Sequence, residues 1–326
     1  MGTSLDEMAA QDTVTVKDPR TGKFSQFEAQ VLEWDAERLL YMGNGKERSM
    51  PATRVVDVSY PRTESQLEAD RLFGEGKLLQ AMQTYQNAIV DEPRPWVKSE
   101  LQARQLQCAL ALNQQREAIS LFLAIQQANP NTRFFHLIPI SWDQTRLDGT
   151  LAANLTQWLS GSNEVRKLIA ASWLQRQDES NANAALKSLA QSGDSRIAHL
   201  ATAQLWRPEI IAPNPAAIPR WEAALKRMPE NFQAGPRFLI AAAKRRVNQG
   251  SDRNAFNEVL VGMLQVPILF PTDYQVAAAA LLEAHKMLIT QDRPDEAALV
   301  LAELTRNYPL SNAAMSLETR VENLDQ

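Results

Sequence analysis

The side chains that could do chemistry are few and scattered. The chain holds three histidines, His136, His199 and His285, and one cysteine, Cys108. The histidines fall on separate segments, none with a second ligand at the four-residue separation that sets two imidazoles on one helix face around zinc. Each is read as a packing or surface residue. Cys108 has no partner for an internal disulfide and is read as a small core residue. "TGKF" (21–24) and "GNGK" (43–46) carry the glycine and lysine of a phosphate loop. They lack the earlier glycine, the hydroxyl residue after the lysine and the following helix that aims amides at an anion. Both are read as strand turns. "SGSNE" and "SGDSR" lack the strand-turn-helix setting of a nucleophilic serine, so they are read as inter-helix turns capped by Asn163 and Asp194. The neighbouring carboxylates Asp295 and Glu296 fall in the first turn of a helix, where its dipole favours them. No catalytic residue, metal site or cofactor is expected, and the chain is not expected to be an enzyme.

Composition narrows the class further. At 326 residues and 44% hydrophobic content the chain can bury a continuous core. Its 12 glycines fall well short of the roughly 7% usual in soluble proteins, which favours helix over glycine-rich loops. The formal net charge of −4 offers no general attraction to phosphate backbones, so nucleic acid is not an expected partner. No apolar run approaches the roughly 18–20 residues of a membrane span. The chain reads as soluble and, by default, cytoplasmic. "MAAQDT" resembles the junction left by a trimmed leader, which keeps a periplasmic or exported location as the alternative.

Residues 1–11 are expected as a flexible N-terminus and 12–60 as a small β-barrel. Apolar residues alternate through "TVTVK", "FEAQVLEW", "RLLYM" and "RVVDVS", which is the period of strands. About five short strands suggest closure, because closure hides sheet edges. "MPATRVVDVS" resembles the turn into the last strand of a Src-homology-3-like barrel; the aromatic residues with which such barrels grip proline-rich peptides are not recognisable here. "YPRTE" (60–64) is the joint, with Thr63 or Ser65 able to cap a following helix.

From 62 to 326 the period becomes helical, and a four-point spacing recurs. Ala81, Tyr85, Ala88 and Pro93 share their offsets with Ala118, Phe122, Ile125 and Pro130 and with Ala297, Leu301, Leu304 and Pro309. Ala255, Val259, Gly262 and Pro267 make another copy, as do Ala217, Trp221, Ala224 and Pro229, while Ala182, Leu186 and Leu189 end at Asp194. A methyl-sized residue lets two antiparallel helices approach to about 8–10 Å. The residue one turn on fills the space beside it, and the proline ends the helix. A further helix lies upstream of Ala81, Ala118 and Ala297, which makes helix hairpins. This pattern resembles the tetratricopeptide repeat, a helix-turn-helix unit of about 34 residues. In the first unit Ala69, Leu72, Gly76, Ala81, Tyr85, Ala88 and Pro93 occupy the consensus slots. The interval from 118 to 182 has room for a further unit around "LAANLTQWL", and residues 151–206 fit the looser HEAT type equally well. Pro219 makes the helix after Ala217 start late, and "RPEIIAPNPAAIP" before it is expected as an extended crossing. The expected architecture is mainly α: a TPR-like superhelix of six or seven helix pairs after the barrel, closed by a capping helix from Ser311 or Asn312.

In that family the first helix of each pair lines a partner-binding groove. Slot by slot, the resemblance places Gln66, Asp70 and Phe73 in the groove of the first unit and Ala103 and Gln107 in the second. It adds Lys244 and Val247, then Lys286 and Ile289, from later units. The asparagine and lysine clamp of chaperone-binding members is absent. Lys244 and Lys286 share a slot in adjacent units and, with Arg245 and Arg246 beside them, suggest contact with an acidic peptide or a chain terminus. The implied function is a non-catalytic scaffold that binds a protein or peptide. The alternatives are a structural component of a bacterial envelope or periplasmic assembly, and an enzyme or nucleic-acid binder with a site where barrel and helices meet.

Overall fold

The computed structural model describes residues 12–143, 147, 149–248 and 253–322; segment 1–11 and the last four residues lie outside them. The chain is mainly helical with a small antiparallel sheet near its N-terminus. It divides into two compact units, one of Met1–Ala109 with Glu117–Leu137 and one of Leu110–Arg116 with Ile138–Gln326.

In the first unit, strands β1 (Asp12–Lys17), β2 (Phe24–Trp34), β3 (Arg38–Gly43), β4 (Lys46–Pro51) and β5 (Val55–Ser59) lie in the order β4-β3-β2-β1-β5. The turns follow their residue types. Asp18 Oδ1 accepts from the Arg20 and Thr21 N–H groups, each at 2.8 Å. Asn44 and Gly45, with φ of 54° and 70°, turn β3 into β4. A 3-10 turn at Ala52–Arg54 leads into β5. The expected closed barrel is corrected: β4 and β5 form no ladder and remain the two edges. Within the sheet β2 spends Phe24–Ala29 on β1 and Gln30–Trp34 on β3, with an irregularity between Val31 and Glu33. One strand thus serves two consecutive ladders. The β4 edge is protected by exposed Lys46, Glu47 and Arg48.

Four helices complete this unit: α1 (Glu64–Gly74), α2 (Leu78–Asp91), α3 (Pro95–Ala111) and α4 (Gln115–Ala128). Thr63 caps α1 in a reciprocal box with Gln66. Ala69, Ala81, Tyr85 and Ala88 are fully buried where α1 and α2 cross, and Ala118, Phe122 and Ile125 are buried on α4. The sheet is bound to the helices through Val31. Its N–H donates to Asp12 Oδ2 at 2.9 Å, and its carbonyl accepts from Trp96 Nε1 at 3.1 Å. Arg94 reaches Glu92, Asp12 and the Pro61 carbonyl while lying over the Tyr60 ring. Burial raises the Asp12 carboxyl above its usual value against the lowering pull of the Val31 amide and Arg94. Trp34 on β2 is covered by the Arg133 guanidinium, 3.7 Å from its ring centre.

The second unit contains α5 (Gly149–Leu159), α6 (Glu164–Leu174), α7 (Glu179–Leu189), α8 (Ser195–Gln204), α9 (Trp206–Glu209), α10 (Ile218–Leu225), α11 (Ala234–Val247), α12 (Arg253–Leu269), α13 (Tyr274–Thr290), α14 (Pro294–Asn307) and α15 (Asn312–Glu322). Asn163, Asp178 and Asp194 cap α6, α7 and α8 through their side chains, and the Ser311 hydroxyl accepts from the Ala314 N–H at the start of α15. The segment around "LAANLTQWL" is α5. Ala182, Ala217 and Ala297 are buried, as are Leu186, Trp221, Val259 and Leu304, while Ala255, Ala224 and Leu301 are only partly covered.

Two details depart from the sequence reading. Pro267 does not end its helix: α12 runs on to Leu269, and the Phe270 N–H closes onto the Val266 carbonyl. A proline this near the end sacrifices only a last-turn bond. The expected extended crossing before α10 is instead α9 followed by a 3-10 turn at Pro215–Ala217. Trp206 and Trp221 stack across it with ring centres 5.3 Å apart. Gly235 in α11 admits the ring of Trp142, and a methyl there would collide with it. The segment Ile138–Asp143 that carries Trp142 is held by hydrogen bonds to α6, α8 and α9.

Candidate functional site

The groove residues expected on α1 and α3 fall into two groups. Gln66 is buried and spent: its side chain completes the α1 cap and donates to Tyr60 Oη at 2.9 Å. Ala103 is buried as well. Both are corrections to a groove role, because neither presents a side chain to a partner. Asp70, Phe73 and Gln107 are half-buried and joined through neighbours. Asp70 accepts from Tyr85 Oη at 2.7 Å and pairs with Arg62 at 2.8 Å. The Phe73 ring meets Tyr85 edge-on and lies under the Arg104 guanidinium. Arg104 in turn donates to Gln107 at 3.3 Å. Among the described residues Arg104 has no carboxylate partner. A ring with an uncompensated cation above it can take an acidic group beside an apolar one.

In the second unit Lys244 and Lys286, expected to meet an acidic partner, are engaged in ion pairs within the chain. Lys244 on α11 bonds Glu222 of α10 at 2.9 Å and Glu258 of α12 at 2.6 Å. Lys286 on α13 bonds Glu283 at 2.7 Å, and Arg245 pairs with the same Glu283. These cations are neutralised by acids from other turns and helices, which the slot-by-slot reading of first helices did not weigh. Ile289 is 53% exposed on α13.

Arg246 is different. It is exposed, and among the described residues it has no ion pair. With Val247 it forms one wall of an open cavity of about 370 Å³ whose other walls are Ile211, Ala212, Pro213 and Pro215. The prolines fix the loop and offer no N–H, and the Asn214 side chain is occupied by the Ala216 N–H at 3.0 Å. The result is an open surface depression that mixes apolar side chains with exposed backbone polar groups and carries the Arg246 guanidinium at its rim. Of the expected groove residues, Val247 alone lines it. The loop's contribution was missed because the segment was read as a plain crossing; the signal available was an exposed isoleucine followed by two closely spaced prolines.

The groups considered for chemistry stay apart. His136 Nδ1 lies 3.3 Å from the Arg133 carbonyl, and burial holds its imidazole below the usual value. His285 Nδ1 lies 3.0 Å from the Ala297 carbonyl at the α13–α14 crossing. Among the described residues the buried Nδ1 of His199 has no hydrogen-bond partner. Burial pushes the Cys108 thiol up to about 12, which keeps it a thiol at neutral pH. Among the described residues no cluster of His, Cys, Asp and Glu is placed to hold a metal, and no helix is long and apolar enough to cross a membrane. No family model, no curated protein and no solved structure matches the chain.

Proposed function

We propose that the helix pairs are TPR-like repeats, stacked within each unit in the manner of an α-solenoid, and that the chain is a non-catalytic scaffold that binds a partner protein along its first helices. The observation that carries this reading is the contiguous half-exposed row Asp70, Phe73, Arg104 and Gln107 on α1 and α3. Buried small residues at the crossings support the repeat assignment, because Ala81, Ala118, Ala182 and Ala297 all sit in contact with neighbouring helices rather than in solvent. The order of the N-terminal strands, with a 3-10 turn before the last, supports kinship with Src-homology-3-like modules. In this chain, though, Tyr60 and Trp34 pack against Trp96 of α3. The sheet then serves as a cap on the first helices rather than as a peptide reader.

Affinity capture from a native lysate tests the reading, with wild type compared against Phe73→Ala combined with Arg104→Glu. Both residues are partly exposed, and a circular dichroism spectrum equal to that of wild type is the control for folding. Partner proteins retained by wild type are expected to drop about tenfold on the variant, the size of one lost charged contact. An identical set retained in equal amount on both would contradict it.

A further inference from the structure

We propose that Asn44, at the tip of the β3–β4 hairpin, is a site of spontaneous deamidation at which water replaces the side-chain amide and part of the product is isoaspartate. The inference is independent of the partner-binding reading.

Asn44 and Gly45 form the only Asn-Gly pair in the sequence. The chemistry needs a peptide N–H after the asparagine, a nitrogen that nothing shields, and a carboxamide free to turn toward it. All three meet at this tip. Gly43 pairs with Lys46, so the loop consists of these two residues alone, and both are exposed. The space around the Cβ position of Gly45 is empty to 4 Å. Among the described residues the Asn44 carboxamide has no hydrogen-bond partner. Other asparagines each lack one of these features. Asn129 and Asn214 precede prolines, whose nitrogen carries no proton. Asn163 is held by the Arg166 N–H that it caps, and Asn113 bonds Asn312. Asn87 and Asn257 lie inside α2 and α12, where the following N–H is bonded to the turn before it.

In the first step the Gly45 nitrogen attacks Asn44 Cγ, a new N–C bond forms and the Cγ–Nδ2 bond breaks. Ammonia leaves with the Gly45 amide proton, and a five-membered imide remains. Solvent water then adds to one of the two imide carbonyls. Opening on one side gives aspartate; opening on the other gives isoaspartate, whose main chain runs through the former side chain. The folded hairpin sets the pace. Asn44 at φ 54° and Gly45 at φ 70° hold the primed turn and not the geometry of attack, so the hairpin must open first. That opening costs little, because β4 is an edge strand bonded to β3 alone and Lys46–Ser49 are exposed.

The two products differ in consequence. Aspartate accepts the same turn and adds one negative charge beside Lys46. Isoaspartate adds a main-chain atom to a loop whose length sets the register from Gly43↔Lys46 to Arg38↔Pro51, so β4 loses its ladder.

The test incubates the full chain in neutral and mildly alkaline buffer and follows every asparagine by peptide mass mapping, with isoaspartyl methyltransferase as the probe for isoaspartate. Position 44 is expected to gain about 1 Da at least about tenfold faster than any other asparagine. The rate should rise in alkaline buffer, because the amide nitrogen attacks as its anion, and in urea, which frees the loop. Hydrogen exchange over residues 38–51 should be quicker in the isoaspartate fraction than in wild type. Asn44→Asp, which installs the other product directly and keeps the turn, should exchange like wild type. Conversion at position 44 no faster than elsewhere, a rate that does not rise in urea, or an isoaspartate fraction that exchanges like Asn44→Asp would overturn the proposal.

Discussion

Trp96→Ala is expected to destabilise the first unit by about 3–5 kcal/mol, the usual loss for a buried large aromatic. The indole is 5% exposed. It meets Tyr60 edge-on with ring centres 5.0 Å apart and lies 6.4 Å from Trp34. Its Nε1 serves the Val31 carbonyl at the point where β2 passes from one ladder to the next. Truncation therefore opens a cavity between sheet and α3 and leaves a buried acceptor without a donor. Trp96→Phe separates the two terms, since it keeps most of the packing and loses only the hydrogen bond, at about 1–3 kcal/mol. Urea unfolding followed by circular dichroism measures both. A Trp96→Ala loss under about 1 kcal/mol would mean that the sheet and the first helices are not mutually supporting.

Arg207→Ala should be nearly as damaging to the second unit, at about 2–5 kcal/mol, because a buried and a part-buried carbonyl lose their donor at about 1–3 kcal/mol each. Arg207 is 5% exposed. Its Nη1 donates to the Ser172 carbonyl at 2.6 Å and to Gln204 Oε1 at 2.8 Å, and its Nη2 to the Asp143 carbonyl at 2.6 Å. Gln204 reaches back to the Ser141 carbonyl at 2.9 Å, and the Ser141 N–H bonds Ser172 Oγ at 3.2 Å. Burial brings the guanidinium down to about 10, so it still carries its charge at neutral pH. A lysine has one ammonium where this network needs a planar fork, and Arg207→Lys should recover less than half of the loss. Guanidinium unfolding reported by tryptophan fluorescence gives the numbers, and a change within about 0.5 kcal/mol would remove the network's structural role.

The sequence made local events legible and left long-range ones dark. Alternation marked β1, β2, β3 and β5 but not β4, whose residues are nearly all polar and exposed, and Asn44 with Gly45 marked a hairpin because few residues other than these accept positive φ. Thr63, Asn163 and Asp194 announced helix starts, since a short polar side chain can reach the second or third amide beyond it. Closure of the sheet was not legible, because it depends on whether the edge strands β4 and β5 meet, and no local residue type encodes that. Arg207 and Trp96 look ordinary in the sequence, and their partners lie some tens of residues away. At the candidate site, Phe73 and Gln107 were expected from slots on first helices, and both are half-buried there. The neutralisation of Lys244 was not, because Glu222 and Glu258 come from two other helices. Arg104 gave a faint signal, a cation one turn before Gln107 on the same helix.

The proposed scaffold rests on one packing rule, a methyl-sized residue at the crossings that hold Ala81, Ala118, Ala182 and Ala297. Parallel chemical unfolding of Ala81→Leu, Ala118→Leu and Gln83→Leu tests it most directly. Ala81 and Ala118 are buried at crossings and Gln83 is exposed on the same α2 helix. The two alanine variants should each lose about 1–3 kcal/mol from overpacking, and Gln83→Leu should stay within about 0.5 kcal/mol of wild type. Equal losses in all three would contradict the rule and, with it, the repeat architecture on which the scaffold reading stands.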